Sequence, residues 1–252
     1  ERGIDLGDVT GTGPGGAITH ADVARHAAGS APPDWQSLGA ARRAMARRMA
    51  KAGAAIVPAT LHDEADVGAW IAPRADVLVR LVRALVVAAR AEPALNAWFD
   101  AETLTRRPAP RLDIAIAVDA PGGLYTPVLR DAGAAGPAAL RAEADRLIAA
   151  ARARRLDAGD QSGATLTLSS YGALGGGHAV LVVTPPQVAI LGAGRAREVV
   201  RWRAGTAVPG MALPLSLSFD HRAVTGGEAA RFLAAVRADL ETPPAQGGAP
   251  DA

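Results

Sequence analysis

Leu213-Pro214-Leu215-Ser216-Leu217-Ser218-Phe219-Asp220-His221-Arg222-Ala223-Val224-Thr225-Gly226-Gly227 is the stretch from which the fold is read. Between Leu213 and Phe219 apolar and small polar residues alternate, the period of a half-buried strand. Past the glycine pair, Glu228–Val236 repeats apolar residues at helical spacing. His221 therefore stands at a strand-to-helix junction, where a rigid scaffold commonly presents reactive side chains.

A similar junction lies upstream. Thr165-Leu166-Thr167-Leu168-Ser169-Ser170-Tyr171-Gly172 reads as a strand running into a turn, with two serines at its end. Thr184–Gly194 reads as another strand, and its Gly192-x-Gly194 lacks the third glycine and the helix of a dinucleotide-binding fingerprint. Leu112–Val118 alternates as a strand, Gly122-Gly123 turns the chain, and Leu124–Leu129 returns. Val57–Val67 is a further strand. Helical patterns cover Leu38–Ala50, with Met45 and Met49 one turn apart, Ala75–Ala89, and Pro137 to about Arg155.

These segments, in this order, resemble the catalytic domain of the dihydrolipoyl acyltransferases of 2-oxo acid dehydrogenase complexes, to which chloramphenicol acetyltransferase is similar. The family pattern is His, three residues, Asp, Gly. His221 and Gly226 fit it, and Thr225 stands where the Asp should be. The resemblance implies an α/β fold, an α+β two-layer sandwich with a mixed sheet like that of chloramphenicol acetyltransferase, assembled as a homotrimer. It also implies roles. His221 is the general base, and Ser169 donates to the oxyanion across a subunit boundary, while Asp220, Arg222, Thr225 and Gly226 support the loop. His178, close after the serines, is the rival base. The family Asp is expected to anchor the loop through an arginine; threonine forms no salt bridge, so an arginine such as Arg42 or Arg222 must find another partner.

Glu1–Val23 resembles the peripheral subunit-binding domain of the same complexes, with a glycine turn over Gly11–Gly16 and Thr19 as a helix N-cap. The expected domains are a partial subunit-binding domain over 1–27, a linker over 28–35, the acyltransferase domain over 36–243 and a disordered tail over 244–252. Residues 1–27 are the expected contact with another pathway protein.

Composition narrows the chemistry. The chain has no cysteine, which excludes thiolate catalysis by its own side chains and cysteine-ligated metals. No metal is expected, because His-rich ligand spacing is missing. Lys51 is the one lysine and falls in a helical pattern, so no lipoylation site is expected here. The apolar segment Val77–Ala89 is interrupted by Arg80 and Arg83, and the net charge is only +2. A cytoplasmic protein with neither membrane nor nucleic-acid partners is expected. Coenzyme A, as acetyl-CoA, is the implied acyl donor. Thr225, the short linker, and the few residues (Val67–Arg74) left where the family inserts a helix and loop point to a changed acceptor. The resemblance then implies O-acetylation of a hydroxyl on a small-molecule acceptor, as in tetronate-type natural-product biosynthesis. The alternative is a dihydrolipoyl acyltransferase core component.

Overall fold

The computed structural model describes residues 6–29, 36–71, 75–120 and 123–243. Glu1–Asp5, most of the expected linker, Arg74, Gly122 and the tail from 244 lie outside them. The chain divides into two compact units, one up to Ala40 and one from Ala41.

In the first unit two short helical turns, Leu6–Asp8 and Pro14–Gly16, precede helix α1 (His20–Gly29). Thr19 caps α1 as expected. Its hydroxyl accepts from Asp22 N–H (3.3 Å), and Thr19 N–H donates back to the Asp22 carboxylate (2.9 Å), a capping box closed by aspartate. The buried Asp22 carboxylate also accepts from the Thr12 N–H (2.9 Å) and hydroxyl (2.7 Å). Those two Thr12 bonds, with Thr19 behind them, hold its carboxyl far below the usual carboxylate range. The preceding turn needs glycine at Gly11, where a Cβ would lie 2.2 Å from the Gly16 carbonyl oxygen.

From the unit boundary onward the chain forms, in order, α2 (Ala40–Ala55), β1 (Pro58–Asp66), α3 (Val77–Ala91), β2 (Ala97–Asp100), β3 (Thr105–Pro108), β4 (Ile114–Ile116), β5 (Val118–Ala120), β6 (Gly123–Tyr125), β7 (Val128–Leu129), α4 (Pro137–Arg152), β8 (Leu166–Ser170), β9 (Ala189–Ala193), β10 (Arg197–Arg203), β11 (Thr206–Asp220) and α5 (Gly226–Glu241). One seven-stranded sheet runs β1-β11-β9-β8-β4-β7, with β10 on the outer part of β11. The β9-β8 and β8-β4 pairs are parallel and the others antiparallel, so the sheet is mixed as expected.

Alternation along the strands sorts two faces. Leu213, Leu215, Leu217 and Phe219 join Leu166, Leu168, Ile114 and Leu191 in one core with the buried stripes of α3, α4 and α5. Asp76 starts α3 by accepting from Val79 N–H (3.1 Å), and Val79, Val82 and Leu85 then turn inward. On the opposite face, register aligns Ser169, Gly192, Ser216 and His62 in one row, and Thr167, Ile190, Ser218 and Thr60 in the next.

Three sequence expectations change. β11 is not half-buried: Ala212–Asp220 is buried on both faces, because the extended segment Ala179–Leu181 lies over the serine face. Ala179 N–H donates to Ser216 Oγ (3.1 Å) and Leu181 N–H to Ser218 Oγ (3.0 Å). Leu112–Val118 divides into β4 and β5, which belong to different sheets. The strand expected over Thr184–Gly194 starts only at Ala189, after a turn closed by Gln187 N–H on the Thr184 carbonyl (3.2 Å).

Candidate active site

The end of β11 delivers His221. Its N–H donates to the Val57 carbonyl (2.8 Å), continuing the β1-β11 ladder by one residue, and its ring packs at 5.5 Å from the Phe219 ring. The residue is exposed, and no ring hydrogen bond holds it among the described residues. Its loop is fixed from three sides. Arg222 grips the buried Asp220 carboxylate through Nε (3.0 Å) and a terminal nitrogen (2.6 Å), donates to the Ala55 carbonyl at the end of α2, and stacks over Phe99. Burial works to raise the Asp220 carboxyl. The hydrogen bonds from Arg222 side chain and backbone and from Val57 N–H outweigh it and hold the group below the ordinary carboxylate range.

Thr225 caps α5. Its hydroxyl accepts from Glu228 N–H (3.2 Å) while Glu228 accepts from Thr225 N–H (2.7 Å). Arg106 on β3 then donates to Glu228 (3.0 Å) and to the Ala223 carbonyl (2.6 Å). The threonine thus anchors the loop without an ion pair of its own, and Arg222 finds its carboxylate at Asp220. Gly226 opens α5 with no atom within 4 Å of where a Cβ would stand.

Ser169 lies elsewhere. It lines a cavity of about 440 Å³ together with Thr167, Gln187, Leu181, Met45 and Met49, and Arg48 is the charged residue in its wall. The Thr167 hydroxyl donates to Gln187 Oε1 (2.7 Å) on its floor. Register places Ser169 level with Ser216, five residues short of His221 on β11 and two strands away. At about 3.4 Å per residue and 4.8 Å per strand, the two side chains stand roughly 20 Å apart within one chain. One copy does not bring them together.

His178 is nearer Ser169, but its ring is engaged: Nδ1 meets the Leu215 carbonyl oxygen (3.2 Å), Nε2 faces Glu64 at 3.7 Å, and the His62 ring stands 4.9 Å away. It does not line the cavity. Sequence reading missed the Ala179–Val182 strap, whose Val180, Leu181 and Val182 wall the cavity. No periodicity marks a segment held to its sheet by serine side chains rather than a ladder.

The connection after Val67 does not border this site. Its described residues pack through Val67 N–H on the Met211 carbonyl and Trp70 Nε1 on the Leu240 carbonyl, and none of them lines the cavity. The connection leaves the far end of β1, about 27 Å along the strand from the His221 end. No helix of the described residues is long and apolar enough to cross a membrane, and no cluster of His, Asp or Glu among them could hold a metal.

Residues 32–246 match a family model described as 2-oxoacid dehydrogenases acyltransferase (catalytic domain), and residues 1–24 match the e3 binding domain. The lipoamide acyltransferase component of the branched-chain alpha-keto acid dehydrogenase complex of Pseudomonas putida is 38% identical over 272 residues, which cover 96% of this chain and 64% of that protein. The chain thus spans somewhat less than two thirds of this relative's length. A crystal structure of Azotobacter vinelandii dihydrolipoamide acetyltransferase superposes with a TM-score of 0.79 at 29% identity, covering 85% of this chain and 93% of that one. That work concerns a serine, a histidine 52 residues later and an asparagine four residues beyond it in the catalytic mechanism. A structure of the cubic core of the pyruvate dehydrogenase multienzyme complex superposes with a TM-score of 0.77 at 29% identity, over 85% of this chain and 93% of that one.

Proposed function

This chain belongs to the 2-oxoacid dehydrogenase acyltransferase family, and on that premise we propose that it moves an acyl group between coenzyme A and a dihydrolipoyl thiol. The observation that carries the reading is a spacing. Ser169 and His221 are separated by the same 52 residues as the serine and histidine of the Azotobacter enzyme, and Thr225 stands where that enzyme has its asparagine.

The chemistry follows from the two side chains. His221 takes the proton from the attacking thiol as its sulfur adds to the thioester carbonyl. The Ser169 hydroxyl donates to the oxyanion that forms. Collapse breaks the second carbon–sulfur bond, and the departing thiolate recovers the proton from His221. No acyl-enzyme is needed, and the chain has no cysteine to form a thioester of its own.

Because one copy holds Ser169 and His221 about 20 Å apart, the complete site is proposed to form between copies, His221 of one facing Ser169 of the next around a trimer. The small first unit is proposed to dock a peripheral subunit. The hydroxyl-acceptor reading loses its main support, since the shortened connection after Val67 lies away from both side chains. The relatives named above are lipoamide and dihydrolipoamide acyltransferases.

The test is an acceptor comparison: acetyl-CoA consumption by the purified chain with free dihydrolipoamide or with a hydroxylated tetronate. Consumption with dihydrolipoamide supports the proposal. Consumption only with the tetronate replaces it by O-acetylation.

A further inference from the structure

The serine face carries a cluster that the proposed chemistry does not use. His62 on β1 and His178, the residue before the strap, stand with their ring centroids 4.9 Å apart. Glu64, two residues further along β1 on the same face, lies 3.7 Å from His178 Nε2 and accepts from Arg197 of β10. These are the charged and titratable groups that meet His178 or its neighbour Glu64 among the described residues. Asp63, between His62 and Glu64 in sequence, points to the opposite face and pairs with Arg237 (3.3 Å).

The partners place the hydrogens. A carbonyl oxygen only accepts, so the contact of His178 Nδ1 with the Leu215 carbonyl (3.2 Å) puts a hydrogen on Nδ1. In the neutral ring Nε2 is then a lone pair turned toward the Glu64 carboxylate, two acceptors face to face. A proton on Nε2 converts the same contact into a charge-assisted one. His62 differs. Its Nδ1 meets Ser216 Oγ (3.0 Å), and that oxygen already accepts from Ala179 N–H (3.1 Å). The hydroxyl gives its own hydrogen to Nδ1, so His62 is satisfied uncharged. The pair of rings has a place for one proton, and a second would set two like charges side by side.

The strap itself is tied to β11 by serine hydroxyls, at Ala179 and at Leu181. A charged His178 adds a tie to β1 directly ahead of them. We propose that His178 is a proton-dependent clasp on the strap that walls the Ser169 cavity: charged, it draws on Glu64 and holds the strap down, and neutral, it leaves the strap to its serines. The charged ring gains a partner on closure, so the added hold is present on the acid side and is lost as pH rises through the His178 titration. The clasp does not depend on what the cavity binds; its bearing on acyl transfer rests on the reading above.

Hydrogen exchange of the strap amides in the intact chain, corrected for the intrinsic pH dependence of exchange, reads the clasp. From about pH 8 down to about pH 6, where histidines titrate, wild-type protection should rise by about two- to fivefold, the range of a partly exposed ion pair. Glu64→Gln should flatten that rise, and so should His178→Asn, whose amide keeps a donor for the Leu215 carbonyl. His62→Phe, which keeps a ring beside His178, should retain it. A flat wild type, a rise that persists in either Glu64→Gln or His178→Asn, or a rise lost in His62→Phe overturns the proposal. Turnover of acetyl-CoA with dihydrolipoamide is measured on the same preparations. Exchange that follows the prediction in a chain without turnover keeps the clasp and removes the acyltransfer reading instead.

Discussion

At the scale of single residues, the two histidines near the sheet face make opposite predictions. No hydrogen bond holds the His221 ring among the described residues, whereas both nitrogens of His178 face oxygens of its own chain, at Leu215 and Glu64. His221→Ala should lower turnover by about two to four orders of magnitude, the usual contribution of a general base, without loss of assembly. His178→Ala should lower it by less than about tenfold; the reverse ranking, measured by steady-state assay, transfers the base to His178. Asp220 supplies a pH dependence. Its carboxyl is lowered on folding, so its contribution to stability is complete above the unfolded value of about 3.9 and is lost as pH falls through the lower folded value. Asp220→Asn should therefore cost about 2 kcal/mol near neutrality, as for a hydrogen-bonded charge, and little in strong acid, as read by denaturant melts across pH. An equal cost at all pH values would place its role in packing.

At the scale of elements, Thr225 matters as a cap. Thr225→Ala should destabilise by about 1 kcal/mol, and Thr225→Asp, an equally good N-cap, by less than about 0.5 kcal/mol, measured by chemical denaturation. A loss in Thr225→Asp matching that of Thr225→Ala would show that the hydroxyl, not capping, is what counts. How far the elements were legible followed from their physics. β11 was visible because Leu213, Leu215, Leu217 and Phe219 alternate with serines, and α3 because its apolar stripe repeats at helical spacing. The sequence hid why the serines alternate there: they face a strap that is itself neither helix nor ladder. β10 was missed because Arg197–Arg203 is mostly exposed and mixes charged and apolar residues without a core-facing period. The Arg106 contacts to the His221 loop span more than a hundred residues, which local patterns do not encode.

At the scale of the whole molecule, the decisive fact is distance. Register puts Ser169 five residues along the sheet and two strands away from His221, so the chemistry proposed for the pair requires a neighbour. Sequence adjacency gives no hint of which end of β1 faces the site, and the register places the connection after Val67 at the end of β1 far from His221. A closed ring of copies, each placing its His221 against Ser169 of the next, satisfies the proposed geometry with a single kind of interface. Light scattering should then find the active species as a trimer or a multiple of it. The measurement that reaches the central claim is subunit complementation. His221→Ala and Ser169→Ala chains, each inactive alone, are unfolded together, refolded as a mixture and assayed with acetyl-CoA and dihydrolipoamide. Random assortment around a ring leaves about one site in four with both side chains intact, so activity should return to about a quarter of wild type. Mixed assemblies that form yet stay as inactive as their parents would contradict a site shared between Ser169 of one copy and His221 of the next.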